Sequence, residues 1–249
     1  MSSLEEQLAQ TQQQLDDLRE EYKEFVYIVS HDLHAPLRAI EGFSQIIANK
    51  HADSFDEKTR GHFNHIINGA QKNKAILNAL VDYSRISTRE SAFTECDCNA
   101  IFSQIKEELS PLIEASQATL HCEALPTLFA DKVQLTLLFK HLIHNALLYQ
   151  KDHIKPVIHI THKNKNNAWE FSVSDNGIGI KKNLMEKIFK LLRRGVSDKH
   201  YPGMGMGLAI AQKIVQRHGG ELSAVSRAEG ETESGTTFTF TMTNNLHST

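Results

Sequence analysis

A heptad pattern runs through the first thirty residues and constrains the fold more than any other feature. Its positions alternate between spacings of four and three residues, and Glu, Gln, Asp and Arg fill most positions between them. A stripe this narrow is typical of a coiled coil rather than of a helix lying on a globule. Two parallel copies of the chain would bury it, so we expect a homodimer. The stripe consists of Leu4, Leu8, Thr11, Leu15, Leu18, Tyr22, Phe25 and Val29.

The helical pattern continues past residue 30 and is followed by a second helical segment. Pro36 lies inside the first segment, and we expect it to remove one backbone hydrogen bond and to bend the helix. Residues 51–59 predict a turn, and a second amphipathic helix extends from there to about Ser84. Two long helices joined by a short loop form an αα-hairpin, and two hairpins paired in a dimer form a four-helix bundle.

Shorter elements replace the long helices in the second part of the chain. Residues 87–95 are polar and predict a linker. The order of the elements after it predicts an α/β sandwich, with helices on one face of a mixed sheet. Gly219 and Gly220 predict a left-handed end for the last helix. Helices are predicted near residues 99–115, 131–150 and 206–218, and strands near 118–123, 157–162, 169–174, 221–226 and 236–243.

Composition and charge exclude several classes of partner. The formal net charge is −3, so no basic field favours a nucleic acid. The sequence contains no run of about 18 apolar residues, which predicts no membrane span. The polar, acidic N-terminus is unlike a signal peptide, and three cysteines fit a reducing compartment better than a disulfide framework. We therefore expect a cytoplasmic protein.

His31 is the first candidate for chemistry, with Asp32 beside it. When Val29 occupies position a of the heptad, His31 occupies position c, on the outside of the bundle. A solvent-exposed imidazole is mostly neutral at pH 7. The Asp32 carboxylate can orient Nδ1–H, which leaves Nε2 as a nucleophile. The alternative is a solvated surface histidine, and this describes most isolated His-Asp pairs.

The motif DNGIGI follows a predicted strand and can contact a small ligand. Gly177 and Gly179 let the backbone approach a ligand closely. Asp175, at the end of the strand, can accept a hydrogen bond from an exocyclic amine. The alternative is a simple turn between a strand and a loop, because Asp-Asn-Gly is strong turn chemistry.

The motif GMGMGL opens a helix and predicts a phosphate site. Gly203, Gly205 and Gly207 would expose amide N–H groups beside the positive end of the helix dipole. The motif is neither a Walker loop nor a convincing dinucleotide fingerprint. Asn145 lies in an otherwise apolar helix, where a hard cation, a bound water or a nearby carbonyl would satisfy its amide.

Together these segments resemble, in order and spacing, the sensor histidine kinases of two-component systems. FVYIVSHDLHAPLRAIEGFSQII resembles the histidine box of that family, LVDYSR the end of its dimerisation hairpin, and HLIHNALLY the asparagine box. DNGIGI and GMGMGLAIAQKIVQRHGG resemble the two glycine boxes, with IFKLLRRG between them as the phenylalanine box. SGTTFTFTM resembles the terminal strand. The resemblance covers residues 22–243 and is strongest to the kinase modules of phytochrome-like receptors.

The resemblance implies a division of the chain and an activity. Residues 1–24 would form a coiled coil, residues 25–88 a dimerisation and histidine-phosphotransfer hairpin, and residues 92–245 an ATP-binding domain with the fold of Hsp90, gyrase and MutL. ATP and Mg²⁺ are the implied cofactors. His31 would be phosphorylated with Asp32 as helper base, and the phosphoryl group would then pass to an aspartate of a separate response regulator.

The resemblance also implies roles for residues of the ATP-binding domain. Asn145 would hold Mg²⁺ against the triphosphate, and Asp175 would bind the adenine amino group. The other residues that would line the nucleotide site are Tyr149, Gly177, Gly179, Arg193, Arg194, Gly203, Gly205, Gly207 and Thr237.

Several positions depart from the family pattern. His141 stands where the asparagine box has its first Asn, and Leu148 replaces the usual Lys or Arg. Loss of a cation that faces the phosphates would weaken stabilisation of the transition state unless an arginine such as Arg193 replaces it. Ala35 stands where phosphatase-competent relatives carry Thr or Asn, so we expect little dephosphorylation of a regulator.

About 24 residues precede the histidine box, which is too short for a folded input module. We therefore expect the sensor to lie on another protein or on a part of a longer receptor. Two further hypotheses remain open. The chain could be a degenerate scaffold that dimerises and binds a sensor or a regulator without efficient kinase activity. It could also be a related ATPase, although that reading leaves the coil and the histidine box unexplained.

Overall fold

The structure is a computed structural model, and it describes residues 2–88, 92–165, 168–193, 201, 203–227 and 234–243. Its internal contacts divide the chain into two compact units, Met1–Arg89 and Glu90–Thr249. The first unit is helical and the second is built around a sheet. Within the described ranges, none of the helices is long and apolar enough to cross a membrane.

The first unit is a hairpin of two long helices. Helix α1 spans Ser2–Lys50 and helix α2 spans Glu57–Thr88. Helix α1 continues without a break through Pro36, so the proline removes one backbone N–H without ending the helix. The predicted turn is shorter than expected because α2 already begins at Glu57. The buried apolar side chains of the hairpin are Val26, Ile67, Ala70, Leu77 and Ile86.

Most of the predicted heptad stripe remains exposed in a single copy of the hairpin. Leu4, Leu8, Leu18 and Phe25 are between 63% and 74% exposed. Val26, next to Phe25 but outside the stripe, is buried within the hairpin. Burial of large apolar side chains is favourable by about 1.5–3 kcal/mol each, so an exposed stripe of this kind is suited to association with a second copy.

The second unit contains a mixed sheet of five strands in the order β2-β4-β5-β7-β6. Strands β2 and β4 are parallel and the other neighbours are antiparallel. A separate antiparallel pair consists of β1 and β3. The bounds are β1 Thr94–Asp97, α3 Cys98–Glu108, α4 Ser110–Ser116, β2 Thr119–Cys122, β3 Thr127–Ala130, α5 Lys132–Leu148, β4 Val157–Lys165, β5 Ala168–Asp175, α6 Gly207–Arg217, β6 Leu222–Arg227 and β7 Gly235–Thr243.

The core of this unit lies between one face of the sheet and helix α5. Phe139 of α5 meets the rings of Phe171 and Phe240 edge-on, at centroid distances of 5.5 and 5.4 Å. Phe171 and Phe240 stack on each other at 5.1 Å. Offset and edge-on aromatic pairs of this kind pack favourably. The predicted α/β sandwich is therefore confirmed.

Two short strands correct the predicted linker at residues 87–95. Thr94–Asp97 forms β1 and pairs with Thr127–Ala130, although the sequence indicated neither strand. Cys96, on β1, and Cys98, which begins α3, are both buried. Burial raises the pKa of the Cys98 thiol to about 12. This cysteine is therefore a core residue with little reactivity.

The last helix, α6, ends as the two glycines predict. Gly219 has φ of +68°, the left-handed conformation that glycine adopts without strain. The N–H of Gly220 donates to the carbonyl of Val215, and the N–H of Gly219 donates to that of Gln216. This pair of hydrogen bonds is a Schellman motif, and it ends the helix at a fixed point.

Candidate functional site

His31 lies on the exposed surface of helix α1. Its side chain is 73% exposed, and Nδ1 lies 3.1 Å from Oδ1 of Asp32. The ring of Tyr27, one turn earlier, stacks on the imidazole with centroids 6.3 Å apart. A carboxylate at Nδ1 favours the tautomer that leaves the Nε2 lone pair free. The exposed position agrees with the heptad register.

His34, three residues further on, has a different environment. Its Nδ1 lies within hydrogen-bond distance of the Ser30 carbonyl, and its Nε2 is 2.8 Å from Oδ1 of Asn78 on α2. The Ser30 carbonyl can only accept, so the Nδ1 of His34 carries a proton. Both ring nitrogens of His34 are engaged within the hairpin. Of these two neighbouring histidines, His31 is therefore the one suited to act as a nucleophile.

In the second unit, the carboxylate of Asp175 lies at the end of strand β5. Its Oδ1 accepts the N–H of Gly177 at 2.8 Å and the N–H of Thr236 at 3.2 Å. No described residue donates to Oδ2, and this atom is not fully enclosed. Burial raises the pKa of Asp175 to about 6, while the two backbone N–H groups and the charge of Lys151 act in the opposite direction. Oδ2 can accept a hydrogen bond from an amine.

The loop after Asp175 packs directly on the end of helix α5. The N–H of Ile178 donates to the Tyr149 carbonyl at 3.0 Å. A Cβ on Gly177 would lie 2.2 Å from that same carbonyl oxygen, so a larger residue cannot occupy the position without a shift of the backbone. Gly179 has φ of +68°, which favours glycine. The glycines therefore bring the loop into contact with Tyr149.

Two further residues, Asn176 and Ser226, hold the loop after Asp175 in place. Asn176 accepts the N–H of Val157 through Oδ1 and donates from Nδ2 to the Lys155 carbonyl, which ties the loop to strand β4. The hydroxyl of Ser226, on β6, accepts the N–H of Ile180 at 2.8 Å. The position of the Asp175 carboxylate is thus fixed by the sheet on both sides.

The second glycine motif lies beside the same helix α5. A Cβ on Gly203 would be 3.8 Å from the Tyr149 hydroxyl oxygen, and a Cβ on Gly207 would be 3.1 Å from Nδ1 of His141. Gly205 has φ of +69°. Met206 precedes the first turn of α6 and makes no side-chain cap. The first amide N–H groups of α6 have no capping side chain and can bind an anion.

Asn145 lies one helical turn before Tyr149 on helix α5 and is partly exposed. No described residue makes a hydrogen bond with its side-chain amide. An amide oxygen is a hard ligand of the kind that Mg²⁺ accepts, and Mg²⁺ in nucleotide sites takes most of its other ligands from phosphates and water. The described residues contain no group of three or more His, Cys, Asp or Glu that could hold a metal ion. The donor set therefore fits Mg²⁺ that arrives with a nucleotide.

One of the predicted site residues, Thr237, does not lie beside Asp175. Thr237 donates from its hydroxyl to Ser174, on the opposite face of the sheet from Asp175. Side chains alternate along a strand, so Thr236 is the threonine next to Asp175. Arg193 is exposed, with its backbone N–H bound to the Lys190 carbonyl. Arg194 lies outside the described residues.

The structure adds residues that sequence reasoning missed. The hydroxyl of Tyr201 donates to the Gln150 carbonyl at 3.0 Å, and its ring lies 5.5 Å from that of Tyr149. Lys151 donates to the Ser234 carbonyl. These contacts join segments that are about fifty and eighty residues apart in the sequence, so no local pattern indicates them.

Two family models match the chain, one in each unit. Residues 21–89 match the His Kinase A (phospho-acceptor) domain. Residues 130–245 match the histidine kinase-, DNA gyrase B-, and HSP90-like ATPase. The first match contains His31 and Asp32, and the second contains Asn145, Asp175 and both glycine motifs.

Curated relatives match nearly the whole chain. The phytochrome-like protein Cph1 of Synechocystis sp. is 31% identical over 95% of this chain and 31% of its own length. The sensor histidine kinase WalK of Bacillus subtilis is 30% identical over 91% of this chain and 37% of its own. The adaptive-response sensory kinase SasA of Synechococcus elongatus is 29% identical over 94% and 62%. The chain spans about a third of the length of the phytochromes it matches.

Solved structures share the fold. Full-length ShkA, in complex with AMPPNP, superposes with a TM-score of 0.65 at 20% identity, over 90% of this chain and 47% of its own. The Acinetobacter baumannii histidine kinase AdeS gives a TM-score of 0.60 at 16% identity, over 86% and 98%. The phospho-acceptor match at residues 21–89, the ATPase match at residues 130–245 and the curated kinases that match nearly the whole chain together show that the chain belongs to the sensor histidine kinases.

Proposed function

We propose that this chain phosphorylates its own His31 with ATP and then donates the phosphoryl group to a response regulator. Nε2 of His31 attacks the γ-phosphorus of ATP, the bond from that phosphorus to the β–γ bridging oxygen breaks, and ADP leaves with the oxygen. The proton on Nδ1 of His31 passes to the Asp32 carboxylate. Phosphoryl transfer needs mainly alignment and charge neutralisation from the protein.

The Asp175 carboxylate carries the nucleotide part of this proposal. Two backbone N–H groups hold one oxygen, and the other oxygen is left for the exocyclic amine of adenine. The backbone N–H of Thr236 binds Asp175, and Tyr149 lies against Gly177 in the same loop. Gly203, Gly205 and Gly207 offer amide groups for the phosphates. Thr236 thus takes the place that the sequence assigned to Thr237. The AMPPNP bound in ShkA supports an adenine nucleotide as the ligand.

The Asn145 amide oxygen would hold Mg²⁺ in this site. The ion would neutralise charge on the phosphates as it does in other phosphoryl-transfer sites. The residues of this chain would align the nucleotide. Asp175 and Tyr149 would lie at the adenine base, and the first amide N–H groups of α6 would lie at the phosphates.

Incubation of the full chain with ATP labelled at the γ-phosphate tests the kinase activity. We expect acid-labile label on the wild-type protein in the presence of Mg²⁺. His31→Gln is expected to bind ATP normally but to remain unlabelled, because the substitution lies outside the nucleotide site. Labelling of His31→Gln at the wild-type rate would refute the proposal.

We also propose the partners and the division of the chain. Residues 1–24 and 25–88 would form the coil and the phosphotransfer hairpin of a homodimer, and residues 92–245 the catalytic domain. A separate response regulator would accept the phosphoryl group on an aspartate, and a sensor on another protein or segment would control the kinase. Because ATP is the substrate, we propose that the chain acts in the cytoplasm.

A degenerate scaffold is the second candidate function. Leu148 has no positive charge. The hydrogen bonds described for Arg193 and Lys151 are made with Lys190 and Ser234 and not with Gly203–Gly207. A scaffold would bind ATP without turning it over. Calorimetry with ATP, combined with the labelling assay, separates the two candidates: binding without label supports the scaffold, and binding with label on His31 supports the kinase.

A further inference from the structure

Two consecutive carbonyls at the end of helix α5 bind two different segments of the proposed nucleotide site. The Tyr149 carbonyl accepts the N–H of Ile178, in the loop that follows Asp175. The Gln150 carbonyl accepts the hydroxyl of Tyr201 at 3.0 Å, in a partly buried position. The rings of Tyr149 and Tyr201 also lie 5.5 Å apart, tilted by 51°. Tyr201 is therefore fixed at the adenine end of the site by a hydrogen bond and by an aromatic contact.

From Tyr201 the second glycine motif extends back along helix α5. A Cβ on Gly203 would lie 3.8 Å from the hydroxyl oxygen of Tyr149, near the end of the helix. A Cβ on Gly207 would lie 3.1 Å from Nδ1 of His141, nearer the middle of the helix. Tyr149 and His141 are eight residues apart, which corresponds to about 12 Å along the axis. The motif therefore lies against α5 from the adenine end of the site to the start of α6.

The two ends of this motif are held in different ways. Gly207 begins α6, and the packing of α6 on α5 fixes that end. At the other end, the hydroxyl of Tyr201 binds the Gln150 carbonyl two residues before Gly203. Gly205, between the two ends, has φ of +69°, and glycine loses more conformational freedom than other residues when it is ordered. An anchor at Tyr201 orders the amides before a ligand arrives, and a preformed site binds at a lower entropic cost.

We propose that Tyr201 is a positioning residue whose hydroxyl holds the glycine motif in place for the phosphates of the bound nucleotide. This inference rests on the proposed function, since it concerns the same site. Tyr201 contacts the adenine end, but its loss acts on the phosphate end, because the amides that it orders lie between Gly203 and α6. A residue that touched the base itself would affect the binding of adenosine and of ADP alike.

Calorimetry on the full chain with Mg²⁺ tests this role by comparing ADP with adenosine, which is measured by competition against ADP. Tyr201→Phe keeps the ring and removes the hydroxyl. It is expected to weaken ADP binding about fivefold, the usual effect of one hydrogen bond, and to leave adenosine binding unchanged. Tyr201→Ala also removes the ring contact and is expected to weaken ADP binding further. Tyr83→Phe, the same substitution in the hairpin unit, is the matched control and is expected to bind ADP like the wild type.

The rate of autophosphorylation separates a positioning role from a catalytic one. At saturating ATP, Tyr201→Phe is expected to label His31 at the wild-type rate, with a KM for ATP about fivefold higher. This is the result of removing an interaction that acts on nucleotide binding and not on the reacting atoms. A lower rate at saturating ATP with an unchanged KM would overturn the inference.

The binding results separate this inference from the proposed function. A wild-type chain that binds neither ADP nor adenosine would overturn the proposed function and this inference with it. Equal ADP affinity of Tyr201→Phe and wild type would overturn the positioning role alone, as would equal losses for ADP and adenosine. Unchanged adenosine binding in both Tyr201 variants would show that they fold, so a selective loss of ADP affinity supports the role of the hydroxyl.

Discussion

The Nδ1 atom of His31 lies 3.1 Å from Oδ1 of Asp32, and both side chains are more than 70% exposed. This pair leaves the Nε2 atom of His31 open to a phosphoryl donor. In the proposed reaction, it would also provide an acceptor for the Nδ1 proton that the ring loses once Nε2 is phosphorylated. His34 has no such arrangement, because its two nitrogens contact Ser30 and Asn78.

Asp32→Asn is therefore expected to slow autophosphorylation by about 100-fold, the usual contribution of a positioned base. The amide keeps the size of the side chain but cannot take a proton. The rate of labelling by γ-labelled ATP measures the effect, and calorimetry should give an unchanged ATP affinity. Asp53→Asn, another exposed aspartate of the hairpin unit, is the control; equal rates for both variants would exclude a special role of Asp32.

The ATP affinity is expected to fall as the pH drops through about 6, where Asp175 takes up a proton. The adenine amine needs a carboxylate oxygen as acceptor. At pH 5, one unit below this pKa, about a tenth of the groups remain ionised, so binding is expected to be about tenfold weaker than at pH 7.5. Calorimetry at the two pH values measures this change.

Asp175→Asn serves as the reference for that experiment, because it reports the pH dependence of the nucleotide phosphates alone. The variant is expected to bind ATP weakly at both pH values. A wild-type curve that parallels the curve of the variant would contradict the assigned role of Asp175.

Gly177→Ala is expected to weaken ATP binding by more than about tenfold, because the loss of one good contact already has this effect. The new Cβ would lie 2.2 Å from the Tyr149 carbonyl oxygen, so the loop that holds Asp175 has to move. Gly69→Ala is the matched control, since a Cβ there meets no atom within 4 Å. The control is expected to bind ATP normally. Its free energy of unfolding is expected to be about 0.5–1 kcal/mol higher than that of the wild type.

The pH also affects folding of the second unit through His218. Its Nε2 accepts the N–H of Asp131 and its Nδ1–H donates to the Ile214 carbonyl, so the ring must be neutral. Burial lowers the pKa of His218 below the ordinary value of 6.5. Between 6.5 and the lowered value, the unfolded chain binds the proton and the folded chain does not, so the free energy of unfolding falls as the pH decreases.

Urea unfolding followed by fluorescence of Trp169, the single tryptophan, measures this effect. His218→Gln does not titrate, and it is expected to be about 1–3 kcal/mol less stable than wild type at pH 7.5. The difference is expected to shrink at pH 5. Asp175 is present in both proteins, so its contribution cancels in the difference between them. Its raised pKa stabilises the folded state at low pH, and this stabilisation is lost as the pH rises through about 6. A difference independent of pH would contradict the neutral state of His218.

Phe25→Glu is expected to convert the dimer into a monomer. The substitution places a charge in the heptad stripe, where Phe25 is 63% exposed in one copy. Light scattering after gel filtration gives the mass. Gln13→Glu adds the same charge at position f, outside the stripe, and is expected to remain dimeric; two dimeric variants would argue against the stripe as the interface.

The sequence predicted those parts of the fold that depend on long patterns. The heptads of α1, the apolar helix α5 and the alternation of Thr and Phe in β7 each extend over many residues. Strand β1 has only four residues, three of them exposed and polar, so its pairing with β3 depends on the partner rather than on a pattern of its own. Register is equally inaccessible, because a shift of one residue moves a side chain to the other face. This is why Thr236, and not Thr237, lies beside Asp175.

The sequence indicated candidate site residues where a motif carries its own chemistry, as with His31 and the two glycine motifs. Contacts that join distant segments were not. Tyr201 reaches Gln150, and Lys151 reaches Ser234, only after the sheet has formed. The contact between His141 and Gly207 likewise depends on the packing of α5 against α6.

The position of the phosphoryl group tests the central proposal most directly. The chain contains 14 histidines, so labelling alone does not identify the nucleophile. The full chain is incubated with ATP and Mg²⁺, digested at neutral pH and mapped by peptide fragmentation. The account predicts phosphate on His31, none on His34, and no phosphopeptide from His31→Gln. Phosphate on His34, or an unchanged yield from His31→Gln, would contradict it.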